Sequence, residues 1–131
     1  MFFSQKKRKN CDVQVKIVQI CRDLGIGNGG FYQPGYGTES KLHLWMMCLG
    51  MHWEPTTHSY ERKRSVDNAV APSIPPLFLE LVAQCLHEAQ DALENGTSRL
   101  PEMHPNICLV NFYELSGKLG LHQVNVNIII K

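Results

Sequence analysis

Apolar residues along this chain fall into two alternating stretches and one or two helical ones. The first alternating stretch runs from Asn106 to Gln123. Ile107, Leu109, Asn111 and Tyr113 share one strand face by a period of two. Ser116-Gly117-Lys118 then offers a turn, after which Leu119, Leu121 and Gln123 alternate with Gly120 and His122. This strand, turn and strand would turn Asn111, Tyr113 and His122 into one pocket able to take a small polar ligand or a metal. The second is Lys41 to Leu49, where Leu42, Leu44, Met46 and Cys48 alternate with His43, Trp45, Met47 and Leu49. Apolar residues on both faces predict a strand buried on both sides.

The clearest helix lies within Pro72 to Leu93. Pro75-Pro76 opens it, and Leu77, Leu81, Cys85, Ala89 and Leu93 follow at i+4 steps, flanked by Phe78, Val82 and Leu86. Its apolar face is expected to cover a sheet, with His87 and Glu88 facing solvent. Asn95-Gly96 would end it. Near the N-terminus, Asp12 is expected to cap a helix to Leu24 with Ile17, Ile20, Cys21 and Leu24 on one face and Gly25 as its stop. Alternation of Val13, Val15 and Ile17 makes a strand start the competing assignment.

The segments between these elements carry the candidate chemistry. Gly25 to Gly37 holds six glycines and Pro34, interleaved with Phe31, Tyr32 and Tyr36. Gly25 to Gly30 lacks the lysine and hydroxyl of a phosphate-binding loop, so an aromatic loop lying over a site is the preferred assignment. From Gly50 to Ser73 the chain turns polar, with Trp53 and Tyr60 among Thr56, Thr57, His58, Arg62, Lys63 and Arg64. Aromatics among basic residues suit contact with a base and a phosphate backbone; composition alone favours an ordinary charged loop with two anchoring aromatics. Cys48, His52 and His58 match the spacing of no common structural zinc site.

Composition narrows the class. The chain is 44% hydrophobic and 19% charged, which fits a globular domain. At 131 residues it has the length of one. A net charge of +1 makes no global electrostatic demand for nucleic acid. Cys11, Cys21, Cys48, Cys85 and Cys108 are scattered and odd in number, which predicts buried free thiols in a reducing compartment. No apolar run approaches the roughly 20 residues of a membrane span, and the opening residues are too short for a signal-peptide core. The expected setting is intracellular, nucleus and/or cytoplasm, with a solvated basic tail around Lys6-Lys7-Arg8-Lys9.

Three blocks then resemble the AlkB family of Fe(II)- and 2-oxoglutarate-dependent dioxygenases, particularly its plant members. They are Gly30-Phe31-Tyr32-Gln33-Pro34-Gly35-Tyr36, Met47 to Trp53 continuing to Tyr60, and Asn111-Phe112-Tyr113 continuing to Leu119-Gly120-Leu121-His122-Gln123. The resemblance implies an α+β fold: a partial double-stranded β-helix, or jelly-roll, with supporting N-terminal and central helices. It implies that Asn111 and Tyr113 hydrogen-bond 2-oxoglutarate and that His122 is an iron ligand. Trp53 and Tyr60, seven apart, would lie in a nucleotide-recognition lid over residues 29–73 that stacks on a flipped, methylated base. The implied activity is oxidative demethylation of N-alkylated bases in DNA or RNA, with Fe(II) and 2-oxoglutarate as cofactors.

The resemblance also shows a departure. Two His and one carboxylate hold iron in such enzymes, and the family motif His-x-Asp would place the carboxylate where this chain has Val124. The second His, the arginines that pair with the keto-acid and about half the jelly-roll strands have no counterpart before Lys131. The expectation is therefore a single incomplete domain over 1–131, C-terminally truncated, with a supporting helix over 74–94, the start of the catalytic jelly-roll over 106–123 and a divergent tail over 124–131. Such a chain is expected to be catalytically inactive, at most a weak nucleic-acid binder, and a monomer if folded. Cut sheet edges and Ile128-Ile129-Ile130 predict poor solubility.

Overall fold

A computed structural model describes residues 2–36, 40–41, 43–54, 56–93, 99–114 and 116–118, with the backbone alone at 2–10, 35–36 and 40–41. The architecture is α+β. Helix α1 spans Phe2–Gly25 and α2 spans Pro76–Ala92. Strands β1 (Gly35–Tyr36) and β2 (Ser40–Lys41) form one short antiparallel pair. Strand β3 (Leu44–Leu49) pairs with β6 (Cys108–Tyr113), and β4 (His52–Glu54) pairs with β5 (Ser59–Glu61), both antiparallel.

Helix α1 carries Ile17, Cys21 and Leu24 one turn apart, and this stripe packs on the sheet. Cys21 is buried. Helix resolves the competing assignment at Val13 and Val15, because the inward positions follow the 3.6-residue period and leave Val15 and Val18 exposed. Two expectations are corrected. Asp12 is not a cap but an exposed residue inside the helix, and the Lys6–Lys9 backbone is helical rather than a tail. The propensities of Lys, Arg and Gln let the helix run back past any local cap.

The β3–β6 register explains where the core sits. Leu49 faces Cys108, Met47 faces Val110 and Trp45 faces Phe112, and this sheet face meets α1 and α2. Met47 and Leu49 are fully buried, each contributing about 2 kcal/mol. Phe31 closes the layer edge-on to Phe112, ring centroids 4.9 Å apart. Phe31 is therefore a core residue, not part of an aromatic cover over a site. Burial on both faces is confined to Met47, Cys48 and Leu49, whereas Trp45 is 42% exposed. On its free edge β3 gains a further bridge: Tyr32 and Met46 exchange both backbone hydrogen bonds, at 2.9 and 2.8 Å.

Helix α2 begins with Pro76 at its first position, where a missing N–H costs nothing. Phe78, with Ile74 before it, packs on the core as predicted for a covering helix. The predicted i+4 stripe holds at Leu77 and Leu81, half-buried with Phe78, Val82 and Leu86, and fails at Cys85 and Ala89, which are exposed. Each i+4 step overshoots a turn by about 40°, so a long i+4 row drifts off the packed face. His87 and Glu88 are exposed, as expected. The thiol expectation holds in part: all five cysteines are free, but Cys11 and Cys85 are exposed.

Candidate nucleobase site

The opposite face of the β3–β6 sheet is the open one. Leu109 stands across from Cys48, Asn111 across from Met46 and Tyr113 across from Leu44. Antiparallel partners point to the same side, so these six side chains share one surface. At its Leu109 end the surface becomes the floor of a pocket of about 630 Å³, with Met46, Cys48, Ile107 and Leu109 beneath and the β4–β5 hairpin at the rim.

The hairpin brings the two predicted aromatics together. Trp53 and Tyr60 are direct cross-strand partners, their rings 5.0 Å apart and inclined at 62°. Both line the pocket and both remain partly exposed, 38% and 44%. Large flat surfaces left open at a pocket mouth are suited to stacking on another ring. His58 stands at the hairpin turn in the left-handed conformation, φ 51°, its ring 6.4 Å from Trp53. The charged-loop assignment for 50–73 therefore gives way to an ordered hairpin.

A clasp holds the hairpin to the sheet. Arg64 is buried and donates from Nε and Nη2 to the two carboxylate oxygens of Asp67, both at 2.7 Å. Its Nη1 donates to the Gly30 carbonyl at 2.7 Å, and its guanidinium lies over the Tyr32 ring, 4.6 Å from the centroid. The backbone repeats the tie: Arg64 N–H donates to Ala69, and Ala69 N–H to the Asp67 carboxylate. The guanidinium, donating hydrogen bonds to the Asp67 carboxylate, is the main cause of that group's fall to a pKa of about 2.

Electrostatics divide the wall. Hydrogen bonds from Ser65, then Thr56, lower Glu54 to about 2, so it is ionised at neutral pH. Burial, then the neighbouring Cys48, pushes Tyr32 up to about 12, and burial raises Cys48 and Cys108 as well. These remain protonated near neutrality. His52, behind the hairpin, is 1% exposed with neither ring nitrogen hydrogen-bonded. Its pKa is lowered, first by burial and then by Arg64, with Asp67 and the Ala69 backbone opposing.

Of the residues singled out from sequence, Trp53 and Tyr60 meet in the pocket. Asn111 and Tyr113 lie beyond its floor on the same sheet face. His122, and the second strand expected over 119–123, lie outside the described residues. The described partner of β6 is β3, and the turn after it begins earlier than Ser116, with Gly117 N–H donating to Glu114. In the Gly25 to Gly30 loop, Gly29 and Gly30 are buried, Gly29 at φ +73° against the Val70 carbonyl, while Ile26, Gly27 and Asn28 are exposed. Sequence reasoning undervalued Tyr32, Glu54 and Arg64. The Arg64-x-x-Asp67 spacing and the carboxylate beside Trp53 were the available signals.

Residues 10–128 match the 2OG-Fe(II) oxygenase superfamily. The chain is 51% identical over 116 residues to the Arabidopsis thaliana DNA N(6)-methyladenine demethylase ALKBH1C, and 50% identical over 118 residues to ALKBH1D of the same plant. These alignments cover 84% and 86% of this chain and 26% of either relative, so the chain spans about a quarter of their length. The solved structure of OsALKBH1 superposes with a TM-score of 0.70 at 47% identity, over 84% of this chain and 51% of that one. The jelly-roll expectation is thereby met in part of its extent: the chain holds a portion of that fold.

The family's two cofactors fare differently against the residues present. Asn111 and Tyr113 are polar groups on an open sheet face and suit a carboxylate ligand. Among the described residues no three of His, Cys, Asp or Glu cluster as a metal site, and His122 lies outside those residues. On the family match, the relatives and the superposition together, this chain belongs to the 2OG-Fe(II) oxygenase superfamily.

Proposed function

We propose that this chain carries the base-recognition part of a DNA N6-methyladenine demethylase. The observation that carries the reading is the Trp53–Tyr60 pair at the mouth of a pocket with an apolar floor. Chemistry on a base requires that it leave the stack, and an aromatic wall returns part of the stacking energy, about 1–3 kcal/mol per base. Arg62 and Lys63, exposed beside the hairpin, supply the salt-dependent attraction to phosphate. Asn111 and Tyr113 are the proposed donors to the carboxylates of 2-oxoglutarate. His122 is the proposed iron ligand, and bound iron with the keto-acid would supply the oxidising chemistry.

The test is binding of a fluorescent single-stranded DNA containing one N6-methyladenine, read by polarisation. Trp53→Ala is expected to weaken affinity at least fivefold, from the lower half of the stacking range. Unchanged affinity would remove the base-recognition reading.

A second reading keeps binding and drops turnover. It is favoured by Val124, which occupies the place of the carboxylate in a His-x-Asp motif. With Fe(II), ascorbate and 2-oxoglutarate supplied, this reading expects no succinate or formaldehyde above the no-protein control. Turnover inhibited by a 2-oxoglutarate analogue would refute it.

A further inference from the structure

His58 is the residue of the β4–β5 hairpin whose backbone is out of the ordinary. Its φ is 51°, in the left-handed region, which glycine enters freely and a residue with a side chain enters at a cost. The turn is built around that conformation. On either side of His58 the hydroxyls of Thr57 and Ser59 hydrogen-bond each other at 2.7 Å, and Ser59 Oγ donates on to Glu61 Oε1 at 2.8 Å. Thr56 is tied back to the Glu54 carboxylate, its hydroxyl donating at 2.6 Å. His58 itself is exposed, so burial does not offset the cost. Backbone strain of this kind persists where the surroundings over-determine it, and it gathers at functional sites.

What the conformation secures is a contact. Tyr60 is the cross-strand partner of Trp53, and His58 precedes Tyr60 by the two-residue step that keeps side chains on one side of a strand. The His58 ring meets the indole of Trp53, centroids 6.4 Å apart and planes inclined at 74°, within the range of an edge-to-face aromatic pair. Trp53 thus has two ring neighbours, Tyr60 and His58. His58 lies outside the pocket lining, so its ring bears on a base in the pocket through Trp53. We infer that His58 is a positioning residue: held at the turn, its ring fixes the orientation in which Trp53 meets a base at the pocket mouth. The inference rests on the base-recognition reading above and deepens it, because a ring whose plane is set before the base arrives loses less freedom on binding.

The experiment uses the whole 131-residue chain carrying Trp45→Phe, so that Trp53 alone emits, and adds to it His58→Asn, His58→Phe or Trp53→Ala. Asparagine tolerates the left-handed conformation and removes the ring, whereas phenylalanine keeps a ring. The anisotropy of Trp53 emission is read without DNA. Affinity is read by polarisation of a labelled single strand carrying one N6-methyladenine, or an abasic site in its place. His58→Asn is expected to leave the thermal midpoint unlowered, to reduce the anisotropy and to weaken binding of the methylated strand about threefold, with the abasic strand unaffected. His58→Phe is expected to recover both the anisotropy and the affinity. If Trp53→Ala weakens binding but His58→Asn does not, the role of His58 is overturned and base recognition stands. A loss in His58→Asn that His58→Phe fails to recover overturns positioning by the ring in the same way. Affinities insensitive to Trp53→Ala overturn both.

Discussion

Arg64→Ala is the substitution whose cost can be worked most fully from the structure. The guanidinium is 9% exposed and makes three kinds of contact. Its charge-assisted bond to the buried Gly30 carbonyl contributes about 2 kcal/mol. Its position over Tyr32 adds about 1 kcal/mol. The fork to Asp67 must be discounted, because that carboxylate is 46% exposed and water screens it; about 1 kcal/mol is a fair figure. Truncation should therefore cost about 4 kcal/mol, a large share of the stability of an ordinary domain. The assay is urea unfolding followed by the fluorescence of Trp53, in a Trp45→Phe background so that a single indole reports. Arg64→Lys separates charge from geometry: a lysine cannot make the fork and the Gly30 bond together, so it should recover less than half the loss. If Arg64→Lys unfolds at the same urea concentration as the unmodified chain, the clasp is not what orders the hairpin.

Other substitutions test the frame and its titration. Gly29→Ala should lower stability by at least 2 kcal/mol, since φ is +73° and a Cβ would collide with the Val70 carbonyl; thermal unfolding checks it, and an unaltered midpoint would contradict the packing of that loop. Phe31→Ala should cost about 3 kcal/mol by opening a void against Phe112, measured by the same unfolding. For pH, His52 is held neutral by burial, so the unfolded chain binds its proton first. Stability should be complete above the ordinary value of 6.5 and decline as pH falls below it. Glu54 and Asp67 have lowered values near 2, so their contribution is lost separately, as pH falls from their ordinary carboxylate range towards 2. His52→Leu, which removes two unpartnered buried nitrogens, should abolish the first decline without lowering stability at pH 8; persistence of that decline would assign it elsewhere.

How much of this was legible beforehand depends on the range of the interaction. Strand alternation located Leu109, Asn111 and Tyr113 on one face because a period of two is local. It could not identify β3 as the partner of β6, since about 60 residues separate them and pairing over such a distance leaves no local mark. The α2 helix was readable from its apolar content, yet the later part of its i+4 row, Cys85 and Ala89, leaves the packed face. Phe31 illustrates another limit. Its glycine-rich neighbours suggest a surface loop, but the turn they permit folds its ring into the core. In the pocket, the family resemblance put Trp53 and Tyr60 in a lid, whereas Arg64 stood among the basic residues of a polar loop and nothing in the sequence marked Glu54 as buried. Their partners, Thr56, Asp67 and Gly30, are what make burial tolerable, and partners become visible only in three dimensions.

The most direct test of base recognition uses Trp53 itself as the reporter. In the Trp45→Phe chain, emission from Trp53 is followed while a single-stranded DNA with one N6-methyladenine is added, beside an otherwise identical strand with an abasic site there. Stacking on the indole predicts saturable quenching by the methylated strand and little by the abasic one, at matched salt. Equal quenching by both strands, or none by either, would contradict a base seated against Trp53 and Tyr60.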